Sequence, residues 1–224
     1  MYPSLSPKRT WSFGRALHVT TGAVALSVAL LVSAPVAAFE SELFSLKNRW
    51  EHTVTQMPAN QRQATLETLA AEAKALAEAD PSQADVLVWQ GIILASYARE
   101  RGGLGALGTA GDARDVLERA IELDPDGANG SAYVTLGALY DRAPGRPLGF
   151  GNSTTAERMF QRALAIRPNG IDVNFYYAAF LNEEGNTQAA REHAQRAVAG
   201  TPRQGREASD EALRGEAQAL LDSL

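Results

Sequence analysis

One spacing recurs along this chain and limits what it can fold into. Ala113, Leu117, Ala120 and Pro125 stand at offsets 0, 4, 7 and 12, and the same offsets return in Ala156, Phe160, Ala163 and Pro168, then in Ala190, Ala194, Ala197 and Pro202. Positions three and four apart share one helix face, so each unit predicts a helix whose small residues let a neighbour come close. The proline closes the unit, because it cannot continue into another helical turn. A degenerate earlier copy, Leu69, Ala73, Leu76 and Pro81, keeps the same offsets. Pro168 to Pro202 is 34 residues and Pro125 to Pro168 is 43, so the middle unit reads as a 34-residue repeat carrying an insertion.

The segment before each such helix repeats as well. Tyr133, Leu136, Gly137 and Tyr140 follow a large-x-x-Leu-Gly-x-x-Tyr pattern, in which the glycine lets two helices touch. The equivalents in the next unit are Asn174, Tyr177, Ala178 and Leu181, a departure at the first large position. Upstream, Gly91 can be placed with Leu87 and Leu94, but Trp89 then sits two residues late and the register stays ambiguous. These paired helices resemble the tetratricopeptide repeat. The expected fold is all-α, a tetratricopeptide-like solenoid of helical hairpins with clear units at about 84–127, 130–170 and 171–204. A first helix is expected within 40–57, stopped by Pro58, and an amphipathic capping helix over 209–224. No stretch shows sustained period-two alternation, so no sheet is expected.

Residues 1–38 carry Lys8, Arg9 and Arg15 without an acidic residue, then a nearly uncharged run at 22–33, then Val36-Ala37-Ala38. That order predicts an export signal cleaved after Ala38, leaving a periplasmic domain over 39–224. The alternative is an uncleaved N-terminal membrane anchor, for which the run is short of the roughly 20 residues a spanning helix needs. Without the leader, 18 basic side chains face 26 acidic ones, a net charge of −8, so nucleic acid is not expected as a partner. The chain has no cysteine, which excludes disulfides, thiol chemistry and a thiol-linked lipid anchor.

The insertions are the most informative feature. Gly91 to Ala113 spans 22 residues and Gly137 to Ala156 spans 19, against 12 from Ala178 to Ala190. Two glycine-rich loops, 101–111 and 144–151, are therefore expected at equivalent hairpin turns, side by side along one edge of the stack. They carry Leu104, Leu107, Arg146, Leu148 and Phe150. Either the loops fold back and bury these groups, or they present an apolar docking edge. Gly105, Gly149 and Gly151 are expected in backbone conformations that other residues avoid. Thr154 to Glu157 reads as a capping box for the following helix.

The first loop spells G-x-G-x-x-G over 103–108, but no strand precedes it and no nucleotide site is expected. His52 and His193 lie far apart, without the spacing of a metal pair. No nucleophile elbow occurs, and no cofactor is expected. A second candidate surface follows from the repeat geometry, in which the first helix of each hairpin lines the concave side. It offers Ser131, Val134, Ala138 and Asp141 from one unit and Asp172, Phe175, Ala179 and Asn182 from the next. Phe175, Tyr176 and Tyr177 form an aromatic run of which two members are expected in the core. The surface suits a peptide, a small polar ligand or a protein segment.

The stretches 102–108, 144–151 and 169–181, in that order with repeats between them, resemble the T-component of tripartite ATP-independent periplasmic (TRAP) transporters. The resemblance covers about residues 85–205. It departs at Arg146, where the loop often has an aromatic, and in lacking the cysteine of those T-components that are lipoproteins. It implies a non-enzymatic periplasmic adaptor whose partner is a protein, for instance a solute-binding subunit, with a small ligand as a further option. A general scaffold for cell-envelope assembly is the alternative, and a small hydrolase the outside one. Oligomeric state is left open.

Overall fold

The prolines act one residue upstream of themselves. The ring of a proline pushes the preceding residue out of the helical region. Accordingly Asp80, Asp124 and Arg167, which precede Pro81, Pro125 and Pro168, have φ of −143°, −132° and −134° and end their helices. A computed structural model describes residues 25–224, with side chains from Phe39 onward. The basic segment and the start of the apolar run expected in the leader lie outside the described residues. Two compact units divide the chain, Met1–Ala38 and Phe39–Leu224, and all side-chain packing described below belongs to the second. Among the described residues no helix is long and apolar enough to cross a membrane.

Nine helices occur among the described residues, with no strand. They are α1 (Ala25–Thr55), α2 (Ala59–Ala79), α3 (Ala84–Arg101), α4 (Gly103–Leu123), α5 (Ser131–Arg142), α6 (Ser153–Ile166), α7 (Ile171–Glu183), α8 (Thr187–Ala199) and α9 (Glu207–Ser223). Pairs α3/α4, α5/α6 and α7/α8 are the three hairpins, making this a helical-hairpin solenoid. The recurring stripe is their seam. Ala113, Leu117 and Ala120 of α4, Ala156, Phe160 and Ala163 of α6, and Ala190, Ala194 and Ala197 of α8 are all buried.

Facing the α4 and α6 stripes is the glycine of the helix before each. A Cβ added to Gly137 would lie 2.6 Å from Phe160 Cε1, and one on Gly91 would collide with Leu117. Phe160 and Leu117 hold the same place in their stripes, so the contact fixes the Gly91 register that the sequence left ambiguous. Gly137→Leu is expected to overpack this crossing and cost about 1–3 kcal/mol, read from thermal melts; coincident melts would refute the register. The Asn174 departure also has a physical account. Tyr133 Oη donates to the Pro125 carbonyl at 2.8 Å, and Asn174 Nδ2, at the equivalent position, donates to the equivalent Pro168 carbonyl at 2.8 Å. The shorter side chain leaves room for His193, whose Nδ1 lies 2.8 Å from Asn174 Oδ1.

Three expectations are corrected. The 101–111 insertion is no loop: α4 starts at Gly103, directly after α3 ends at Arg101. The chain reverses through Gly102 and Gly103, both at φ +62°, rather than through Gly105. A helix satisfies its own backbone groups, which outweighs a glycine cost of about 1 kcal/mol each, while Thr109 Oγ1 bonds the Gly105 carbonyl and accepts from Arg101. The 144–151 insertion is a loop, pinned by Gly149 N to the Gly145 carbonyl and Gly151 N to the Pro144 carbonyl. Its Gly149 is required by contact rather than by φ, since a Cβ would meet Pro144 O at 2.5 Å. Finally, α6 is capped by Asn152, whose Oδ1 accepts from Thr155 N at 2.8 Å, and not by the Thr154 box.

The terminal helix α9 packs on α7 and α8 as a cap would. It also returns to α1, where Ser209 N donates to Glu51 Oε1 at 2.7 Å.

Candidate functional site

The return of α9 converts the concave side into a cavity of about 870 Å³. The first helices of the hairpins supply one side through Ile92, Val134, Ala138 and Phe175, while α1 contributes Trp50 and Val54 and α9 contributes Ala212 and Leu213. These walls are mainly apolar. The rim is made by the two insertions, the first turns of α4 and the loop after α5. Leu104 is 95% exposed and Leu148 76% exposed there, and Leu107 reaches within 3.1 Å of where a Cβ on Gly149 would be. The equivalent insertions therefore do meet, one as a helix and one as a loop.

A buried charged cluster closes one end. Asp172 accepts from Arg167 at 2.7 and 2.8 Å and pairs with Arg203 at 2.9 Å. Arg203 also grips Asp210 through Nη2 at 2.6 Å and Nε at 2.9 Å. Arg206 stacks on Trp50 at 4.4 Å and Trp89 at 5.1 Å, with Glu51 Oε2 3.6 Å away. Burial lowers the proton affinity of Arg167 and, with neighbouring Arg203, takes that of Arg206 down to about 10. Tyr176, beside the cluster, has its phenol raised by desolvation. In the α7/α8 seam His193 is held below its ordinary value by burial, then by Arg196.

A family model, TRAP transporter T-component, matches residues 44–204. The chain belongs to the TRAP transporter T-component family. Among solved structures it is similar to a crystal structure of MamA, with 19% identity over 73% of this chain and 89% of that one and a TM-score of 0.46. A second crystal structure of MamA protein gives 17% identity over 81% and 90%, with a TM-score of 0.45. No curated protein matches. The matched span of the T-component contains the three hairpins and stops before α9, so Arg206 and Asp210 lie beyond it.

Two separate candidate surfaces were legible in the T-component sequence, and they contribute to one cavity. Leu104, Leu107 and Leu148 of the loop edge line it together with Asp172 and Phe175 of the concave set. Phe150 does not line it; the ring lies under Arg114 at 4.6 Å and edge-on to Tyr140 at 5.5 Å. Arg146 is exposed on the loop, and Asn182 is exposed near the end of α7. Asp141 pairs with Arg142 at 3.0 Å, its carboxyl raised by burial. Asp172 is 5% exposed and fully taken up by its arginines. Of the aromatic run only Tyr177 is in the core; Phe175 and Tyr176 are half-buried. Sequence reasoning missed Arg206, Tyr176 and Trp50, although Arg203, Arg206 and Asp210 at three- and four-residue steps mark one face around a helix start.

Proposed function

We propose that this T-component is a non-enzymatic periplasmic adaptor that shelters a small ligand for a TRAP-type solute-binding protein. Membership of the family ties the chain to TRAP transport. The observation that carries the finer reading is the cavity. Its volume of about 870 Å³ falls in the range of small-molecule sites, roughly 300–1,000 Å³, which combine apolar walls with a few placed polar groups. Walling by α9 favours a compact ligand over an extended peptide, which needs an open groove or strand edge. Among the described residues no cluster of three or more His, Asp or Glu could hold a metal.

Crosslinking in intact cells, followed by capture of the tagged T-component, is expected to recover an exported solute-binding protein. Recovery of envelope-assembly proteins in its place would favour the scaffold reading. Turnover of any ester or amide in a substrate panel would make the chain a hydrolase and overturn the adaptor.

A further inference from the structure

The helices around the cavity form a ring whose joints are not alike. Leu43, Leu46 and Trp50 of α1 belong to one buried apolar cluster with α2, α3, α4 and α5. Tyr133 and Val134 of α5 share a second with Ala163 of α6 and Val173 of α7. Phe160 of α6 shares a third with Tyr177 of α7 and Ala190 of α8, and Leu224, just past α9, packs against it. Between α9 and α1 no apolar cluster is shared among the described residues. That joint rests on the Ser209 amide, which donates to Glu51 Oε1 at 2.7 Å, and on Arg206 beside Glu51 and Trp50.

Even these polar contacts are incomplete. Glu51 Oε2 is buried and makes no hydrogen bond among the described residues. Arg206 Nε lies 3.6 Å from it but donates to Ser209 Oγ at 3.2 Å. A buried carboxylate oxygen without a donor raises the free energy of the closed ring, and contact with water removes that cost. The turn into α9 is held more firmly to α7, because Arg203 binds Asp210 through its side chain and its amide and also pairs with Asp172 at 2.9 Å. Small rotations between successive hairpins of a solenoid add up at its two ends, which here are the two sides of this joint. Trp50, Val54 and Thr55 line the cavity from one side and Ser209, Ala212 and Leu213 from the other, so parting them opens its wall.

We propose that the contact between α1 and α9 is a reversible clasp: the ring opens there, turning the chamber into a groove, and Glu51 sets the balance between the two states. Segments that open below global unfolding are those with few buried apolar contacts, and this joint has the fewest of the ring. The clasp does not depend on what the cavity holds.

The chain has no cysteine, so introduced thiols carry labels at chosen sites alone. Asn48 of α1 and Glu211 of α9 are exposed, and nitroxides on Asn48→Cys and Glu211→Cys, read by pulsed electron resonance, measure the width of the joint. Glu51→Gln keeps the shape and removes the charge. It is expected to enlarge a longer-distance population about tenfold relative to the short one, the value of a hydrogen bond to a charged group. The Ser209 amide is a second reporter, because its acceptor lies on α1. Its hydrogen exchange should be at least about tenfold faster than that of the Phe160 and Ala194 amides in the seams, and nearly independent of low urea, the mark of local opening. Arg206→Gln supplies the same comparison should Glu51→Gln fail to fold by circular dichroism. A distance distribution in the folded variant that coincides with the parent's overturns the clasp, and so does Ser209 exchange that matches Phe160 in rate and urea dependence. Fast Ser209 exchange with unchanged distances would show the first turn of α9 fraying alone, which overturns it as well.

Discussion

Asp210→Ala is expected to lower the unfolding free energy by about 3–5 kcal/mol, the cost of removing one partner from a buried ion pair. The side chain is 1% exposed, and it accepts from the Arg203 backbone amide at 2.8 Å as well as from the guanidinium. Without it Arg203 keeps Asp172 and a 3.5 Å contact to Ser131 Oγ, and the turn leading into α9 loses its bonds to Arg203. Burial alone would raise the Asp210 carboxyl, but hydrogen bonds and charge from Arg203 outweigh it and hold the group below its ordinary value. A folded value below the unfolded one, about 3.9, means that this contribution is complete above that pH and is lost as pH falls through the folded value. Urea unfolding of parent and variant at pH 7 and again below pH 4 checks both the size and the sign. Equal midpoints at pH 7 would show that the closure is held by something else.

Phe160→Ala should cost a similar amount, about 3–5 kcal/mol, for a different reason. Its ring has no exposed surface, lies against Gly137 and sits tilted with its centroid 5.7 Å from those of both Tyr177 and Phe180, so truncation leaves a cavity between two hairpins. Leu148→Ala is the control: 76% exposed on the rim, it should change stability by no more than about 0.5 kcal/mol. Denaturant midpoints for the two variants distinguish seam from rim directly. A mild Phe160→Ala would mean that the hairpins collapse around the missing ring, against the close packing described above.

The hairpins were legible because a helix writes its buried face into spacings of three and four, and Ala113, Leu117 and Ala120 or their counterparts needed no tertiary knowledge to be read. Prolines supplied the ends for the same local reason. The first turns of α4 were misread because glycine content argues for a turn, whereas an uninterrupted helical backbone flanked by Arg101 and Thr109 decides the conformation. Half of the candidate site could be placed by counting along repeats: Val134, Ala138 and Phe175 fall on the concave side in register. The polar end could not. Trp50, Trp89, Tyr176 and Arg206 come from four separate parts of the chain, and only the turn into α9 brings the last of them against the edge-on pair formed by the first two.

In an extended array of repeats each unit touches only its neighbours, so units can be gained or lost singly. Here the Ser209 amide and the Arg206 guanidinium, at one end of the chain, depend on Glu51 and Trp50 near the other. Such a ring fixes its own membership. Duplicating or deleting one hairpin would carry α9 past its anchor or short of it, whereas added residues such as the first turns of α4 or the 144–151 loop leave that anchor where it is.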